Sequence, residues 1–468
     1  MKALLAALAL ALALAPALAA AQLPPPVREA LAKAGVPESA VAAVVEPAAG
    51  GTRLVSHNPD RPLNPASAIK LVTTYAALDL LGPAYAFRTD ALATGELSGG
   101  VLSGDLVLKG GGDPKLTYER LWQLLRQLRA RGLREIRGDV ILDRSFFAPV
   151  AHDPAKFDGK PRRAYNVGPD ALLLNFKAVD FRFVPGADGV RVVGEPDFPN
   201  VQVASRVKPV RGPCNHWRGG LDFEVEENGL LATVVFTGTY PVDCGEKAWP
   251  LALFDSDRYA ESAFRWLWSE VGGRLAGKVR PGTAPAGAAL LLRFESEPLA
   301  ALVRDVNKFS NNVMARQIFL TLSAEKAGVP GEAGASERLV REWLAAKGIA
   351  APGLVLENAS GLSRVERISA GALAAVLRSA WAGPVMPELV SSLSLFAVDG
   401  TFKSKNGAFA GQAHLKGGTL DGVQSVAGYV LDARGERRVV VMIMNHENAN
   451  RAQAALDALV EWTWRAGK

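Results

Sequence analysis

Cysteine is nearly absent from this chain: 468 residues carry two, Cys214 and Cys244. So few thiols exclude a cysteine-rich metal cluster. Histidine is scarce as well. The five residues (His57, His152, His216, His414, His446) are scattered, and no His/Cys/Asp group has ligand spacing, so neither a metal nor another cofactor is expected. No apolar stretch after residue 21 is long enough to span a bilayer. No cluster of Lys and Arg is interleaved with aromatics, which argues against a nucleic-acid partner. Internal repeats are absent, and so is any low-complexity segment past the N-terminus.

What the chain does have begins with residues 1–21. Met-Lys precedes an Ala/Leu run that ends in Ala17-Leu18-Ala19-Ala20-Ala21. One positive charge, a short apolar core and small residues predict a cleavable signal peptide, cut after Ala19 or Ala21. The alternative, a membrane anchor, suits the run poorly because it is short and broken at Pro16. No cysteine follows for a lipid anchor. Export to the periplasm is expected, and there Cys214 and Cys244 are expected to form one disulfide. A loop of that size contributes on the order of 3 kcal/mol. Lys+Arg number 53 against 47 Asp+Glu, a mild excess that suits an anionic wall polymer without requiring one.

The expected fold class is α/β (α+β). Residues 24–35 read as a proline-started helix stopped by glycine. Residues 40–45 and 52–55 read as a hairpin, and 425–431 with 439–444 as another, with a charged tip at 434–438. His414-Leu415-Lys416 adds a strand, and a last helix runs from Ala449 to Trp464. The two chain ends thus supply about five antiparallel strands faced by helices. Between them lie strand-rich segments at 101–109, 139–142, 181–184, 190–193 and 231–236, punctuated by Gly and Pro. The expected division is a catalytic domain of 22–89 and 286–468 interrupted by an insertion at 90–285. Residues 305–326 and 335–348 are expected to be helices.

Three short motifs fall in order: Ser67-Ala68-Ile69-Lys70, Ser310-Asn311-Asn312 and Lys416-Gly417-Gly418-Thr419. A serine with a lysine three residues on pairs a nucleophile with its own base. A Ser-x-Asn can relay protons and hold an amide. A Lys-x-Gly-Thr strand can hold a carboxylate and line an oxyanion site. Each motif is weak alone. Ser-x-x-Lys recurs at Ser205/Lys208 and at Ser323/Lys326. Only Ser67 follows a loop, Asn64-Pro65-Ala66, and starts an apolar helix. Ser205 lies in a strand-like run. Ser323 lies late in a helix, where hydroxyls commonly face water.

With that context the chain resembles the penicillin-binding D-alanyl-D-alanine carboxypeptidase/endopeptidase family, the low-molecular-mass class C proteins with a large insertion. Longer matches carry the resemblance over nearly all of the chain after residue 21: Gly104-Asp105-Leu106-Val107-Leu108-Lys109-Gly110-Gly111-Gly112-Asp113-Pro114, Asn358-Ala359-Ser360-Gly361-Leu362-Ser363-Arg364 and Val398-Asp399-Gly400-Thr401. It implies a serine β-lactamase/transpeptidase-like domain with a strand-rich insertion. It also implies peptidoglycan stem peptides as substrate and β-lactams as covalent inhibitors. In its terms Ser67 is the nucleophile and Lys70 its base. Ser310 relays a proton, Asn312 binds a substrate carbonyl, and Lys416 and Thr419 face the terminal carboxylate. The backbone N–H groups of Ser67 and Thr419 form the oxyanion hole, with Gly418 between the motif's polar residues.

One departure stands out. Gly417 occupies the place of a threonine, so a hydroxyl is lost and carboxylate recognition is put in question. Arg364 reads equally as a contact to an acidic group of the peptide or as a structural ion pair. Asp158 reads as a partner for the free amine of diaminopimelate or as a solvated loop carboxylate beside Lys160 and Arg162. Gly110-Gly111-Gly112 lacks the Gly-Lys-Ser/Thr ending of a phosphate loop and reads as a turn. Two other functions remain open at this point, a β-lactamase and a non-catalytic wall-binding scaffold. The first lacks a well-spaced glutamate to activate water.

Overall fold

The computed structural model describes residues 22–149 and 151–466; the expected signal peptide lies outside them. Helix α1, Pro25–Ala34, has Pro in its first turn and stops at Gly35, whose φ of 69° is left-handed. The strands of the main sheet are β1 (Val41–Pro47), β2 (Val55–His57), β3 (Ser394–Leu395), β4 (Ala413–Leu420), β5 (Val423–Leu431) and β6 (Arg437–Asn445). Their order is β2-β1-β6-β5-β4-β3, and every neighbouring pair is antiparallel. The sheet has six strands where the sequence suggests about five. The extra one is a two-residue edge too short to show a period.

Helix layers cover both faces, so β1 and β6 read as nearly continuous apolar runs rather than alternating ones. Val41, Ala43, Val45, Val426, Val440, Met442 and Met444 share one core with Val27, Leu31, Leu456, Leu459 and Val460 of α1 and the last helix, Gln453–Arg465. The opposite face packs on Ala370–Ala382. Tyr429 reaches from that face to donate to Leu377 O at 2.6 Å.

The expected helix 305–326 is in fact two, Leu299–Lys308 and Asn312–Lys326. Ser310 adopts φ 57°, which a right-handed helix cannot contain. Asn311 Oδ1 accepts the Met314 N–H at 3.0 Å and caps the second helix. Ser323, expected to face water, is fully buried and bonded to Ser336 Oγ at 2.9 Å. A neighbouring helix, Ala333–Ala346, covers it, and helical position alone does not reveal that.

The chain divides into two compact units. One comprises residues up to Ala84, Leu299–Ser323 and Ala333 onward; the other comprises Tyr85–Pro298 and Ala324–Glu332. The second unit holds a five-stranded sheet ordered Val279–Gly282, Val140–Asp143, Leu106–Gly110, Arg88–Ala93 and Ala289–Glu295. The strand expected at 101–109 splits into Val101–Leu102 and Leu106–Gly110. Between them a Cβ on Gly104 would lie 2.7 Å from Gly95 N, so two backbones cross there. Smaller sheets pack around Phe181, Phe183, Phe236 and Trp249. Cys214 and Cys244 form a disulfide with Cα atoms 5.3 Å apart.

Candidate active site

The turn before Ser67 is held from both sides. Asn64 N donates to Asn445 Oδ1 at 2.8 Å, and Asn445 Nδ2 returns a bond to Asn64 O at 2.9 Å. Asn64 Oδ1 accepts the Ala66 N–H at 2.9 Å, and Ser425 Oγ donates to Pro65 O at 2.6 Å. These bonds hold Ala66 at φ 45°, a conformation non-glycine residues adopt at a cost. Ser67 then falls in a single 3-10 turn, Ala66–Ile69, just ahead of the helix Lys70–Leu81. Residues three apart eclipse in that geometry. Lys70 Nζ accordingly lies 3.0 Å from Ser67 Oγ.

Lys70 is fully buried. Its other partners are Asn312 Oδ1 at 2.6 Å and the carbonyl of Ser360. All three are neutral. Burial pushes its pKa well below the ordinary lysine value, and the Lys416 ammonium pushes the same way, against the opposing carboxylate of Glu366. Lys416 is also fully buried, and burial brings its pKa down to about 7. Its Nζ donates to Ser310 Oγ at 2.9 Å. Hydrogen bonds thus join Ser67, Lys70 and Asn312 in one set and Lys416 with Ser310 in a second, and the Lys416 charge acts on Lys70.

Close backbone packing completes the cluster. A Cβ on Gly418 would lie 2.8 Å from Ser67 N, and one on Gly361 would lie 2.5 Å from the same atom. Both positions admit only glycine. The Gly361 loop is shaped by Glu366, which the sequence reading did not single out. Its carboxylate, fully buried, accepts N–H groups from Asn358 at 3.0 Å, Ala359 at 2.6 Å and Gly361 at 2.9 Å. In sequence Glu366 sits among Arg364, Val365 and Arg367 and looks like part of a solvated turn. Lys308 was missed for a similar reason. Its Nζ bonds Asp399 Oδ2 at 2.5 Å and Leu393 O at 2.9 Å, which ties the end of Leu299–Lys308 to the Val398–Thr401 segment.

A family model for D-Ala-D-Ala carboxypeptidase 3 (S13) matches residues 25–466. The chain belongs to the S13 family. It is a serine-type hydrolase. It is 26% identical over 391 residues to the D-alanyl-D-alanine carboxypeptidase DacB of Haemophilus influenzae, covering 81% of this chain and 80% of that protein. It is 28% identical over 433 residues to the D-alanyl-D-alanine carboxypeptidase of Actinomadura sp. (strain R39), covering 88% of this chain and 79% of that one. The fold matches the crystal structure of penicillin binding protein 4 (dacB) from Haemophilus influenzae with a TM-score of 0.76 at 23% identity, over 94% of this chain and 99% of that chain. That protein is also solved in complex with a novel β-lactam, with a TM-score of 0.72.

The other candidates fall variously within this S13 chain. Thr419 is exposed beside the cluster and its Oγ1 donates to Gln424 Oε1 at 3.3 Å. Arg364 donates to Asp421 O at 3.2 Å, and its guanidinium lies 3.7 Å from the exposed Asp421 carboxylate. Asp158 belongs to the second unit. In its half-exposed loop it accepts from Tyr165 Oη at 2.7 Å, Asn166 Nδ2 at 2.8 Å and Lys160 N at 3.1 Å. Burial works against its charge, but these donors hold its pKa below the usual aspartate value. Among the described residues no group of three or more His, Cys, Asp or Glu side chains is placed to hold a metal. Among the described residues no helix is long and apolar enough to cross a membrane.

Proposed function

We propose that this chain is a periplasmic serine D-Ala-D-Ala carboxypeptidase or endopeptidase acting on peptidoglycan stem peptides. In this reading 90–285 is an insertion within the catalytic domain of 22–89 and 286–468. Lys70, in its neutral form, takes the Ser67 hydroxyl proton as Oγ attacks the carbonyl of the penultimate D-Ala. The oxyanion lies against the N–H groups of Ser67 and Thr419. The amide C–N bond breaks, and Ser310 passes a proton to the leaving amine. The acyl group stays on Ser67 as an ester. Water then attacks that ester, gives a proton back through Lys70 and frees the serine. Asn312 holds the substrate amide, and Lys416 and Thr419 hold the terminal carboxylate, with Arg364 beside the carboxylate end.

Penicillins enter by the same attack. Their leaving nitrogen stays tethered to the acyl group, so the ester persists. One observation carries the reading: a fully buried lysine with only neutral partners lies 3.0 Å from a serine hydroxyl, with a second buried ammonium pressing its pKa down. Purified protein incubated with a fluorescent penicillin tests it. Covalent label on wild type, and none on a folded Ser67→Ala variant, is expected. Label that survives in Ser67→Ala but vanishes in Ser323→Ala or Ser205→Ala would falsify the assignment. Rapid, sustained turnover of the penicillin would instead mark a β-lactamase, and no label on wild type would mark a scaffold.

A further inference from the structure

The second unit holds a cavity of about 1070 Å³ that the proposed chemistry does not use. It lies where the parallel strands Val140–Asp143 and Val279–Gly282 end, with Leu142, Arg144, Gly282 and Thr283 in its wall. The carboxyl ends of parallel strands are where α/β sheets receive ligands. Leu142, Phe147, Val167 and Phe254, all buried, give it an apolar lining. Asp158 is not part of that wall.

Four Lys and Arg side chains line it as well: Arg144, Arg162, Lys177 and Arg258. The three arginines are paired. Arg144 Nε lies 2.9 Å from Asp170 Oδ2, Arg258 Nε lies 2.9 Å from Asp255 Oδ2, and Arg162 and Arg258 share Glu227. Lys177 has no carboxylate within ion-pair distance among the described residues. Burial holds its pKa below the ordinary lysine value, against the pull of Asp255 and Glu227.

The backbone is strained where it carries Lys177 into the wall. Asn175, Phe176 and Lys177 take φ 44°, 53° and 51° in succession. Left-handed non-glycine residues are costly and persist only where their surroundings hold them. Asn175 supplies the hold. Its N–H donates to Leu116 O at 2.9 Å, and its Nδ2 donates to Ala178 O at 2.9 Å and to Tyr259 Oη at 3.1 Å. Phe254, also in the wall, takes φ 59°. Among the described residues of the second unit, every non-glycine residue of positive φ belongs to this wall or to the turn that carries Lys177. In the first unit Ala66, Ser310 and Ala359 are strained likewise, at the serine–lysine cluster.

We infer that this cavity is a second binding site, for a peptide whose C-terminal carboxylate pairs with Lys177 and whose body lies against the apolar lining. One unpaired ammonium takes a monoanion, and Asp170, Glu227 and Asp255 in the same wall repel a dianion such as phosphate. The Ser256 and Thr283 hydroxyls line the cavity and bond no other described residue, which suits peptide amides rather than a hydrocarbon chain. The choice of peptide rests on the proposed activity, because hydrolysis of D-Ala-D-Ala leaves a stem peptide ending in a new D-Ala carboxylate. The site binds that end and makes no covalent bond.

Diacetyl-L-Lys-D-Ala carries one such carboxylate and no D-Ala-D-Ala bond. It is titrated calorimetrically into the full chain after saturation with penicillin, which closes the cleft at Ser67. Wild type should bind one equivalent. Lys177→Met should weaken binding by roughly tenfold or more, the scale of one charge-assisted bond, and Lys177→Arg should restore it. The C-terminal amide of the peptide should bind wild type as poorly as the acid binds Lys177→Met. Lys177→Gly removes the ammonium and the strain together, since glycine adopts positive φ freely. Its Tm should rise while its binding falls. No binding to wild type, or equal binding by Lys177→Met, overturns the site. Equal binding of the amide overturns the carboxylate contact, and displacement by an equal concentration of inorganic phosphate overturns the choice of a monoanion. A lower Tm for Lys177→Gly overturns the account of strain. Wild type that penicillin fails to label overturns the nucleophile reading instead; the Lys177 comparison on unlabelled protein then still decides the site.

Discussion

A buried ammonium whose partners are all neutral is costly, and two of them meet here. The Lys416 ammonium makes Lys70 harder to protonate. That coupling fixes the sign of a pH experiment. If neutral Lys70 is the base, acylation by penicillin slows as pH falls through the pKa of Lys70. Lys416→Met removes a neighbouring cation, so the Lys70 pKa rises and the acid limb moves to higher pH. An unmoved limb in stopped-flow acylation would remove Lys70 from the role of base. Ser67→Ala should lower peptide turnover by ~10³-fold or more, the scale for a unit that loses its nucleophile. Ser323→Ala should leave labelling intact but cost about 1 kcal/mol in denaturant unfolding, because its buried bond to Ser336 is lost.

At the scale of elements, the cluster is made by places where regular structure stops. Ser67 sits in a 3-10 turn ahead of a helix, Ser310 sits in the break between two helices, and Ser360 sits in a loop wrapped on a buried carboxylate. Glu366 acts through that loop, so it is a positioning residue. Glu366→Gln turns one of its accepting groups into a donor facing N–H groups. A loss of about 2–3 kcal/mol is expected. The variant has a second signature that a purely structural role lacks. The Glu366 carboxylate raises the Lys70 pKa, so neutralising it moves the acid limb of acylation to lower pH, opposite in sign to Lys416→Met. Equal shifts in the two variants would contradict the electrostatic account.

For the whole molecule, the sheet explains how a split chain makes one site. β1 pairs with β6 over seven positions, from Val41↔Met444 to Pro47↔Arg438. That pairing joins the N-terminal part, with Ser67, to the C-terminal part, with Lys416. The disulfide belongs to the other unit. Peptide mapping without reduction should recover Cys214 and Cys244 linked. Replacing both with Ser should destabilise the protein by about 3 kcal/mol while penicillin labelling at Ser67 persists. Two free thiols in the purified protein would contradict the bridge.

The sequence by itself determined the elements whose signal is local. Pro25 and Gly35 bound a helix because proline suits a first turn and glycine suits a left-handed cap. The run Val439–Met444 is a covered strand because nothing polar interrupts it. The three motifs were legible because serine, lysine and asparagine at those spacings have few other joint uses. Only the tertiary structure decided what depends on distant neighbours. Ser323 is buried because a later helix covers it. The helix at 305–326 breaks because Ser310 is held in a left-handed conformation. Glu366 is a buried acceptor rather than a surface charge because the loop before it folds back on its carboxylate. Gly417 reads in sequence only as a lost hydroxyl; that a Cβ there would lie 3.3 Å from the Phe402 ring is decided by a strand and an aromatic side chain that meet only in space.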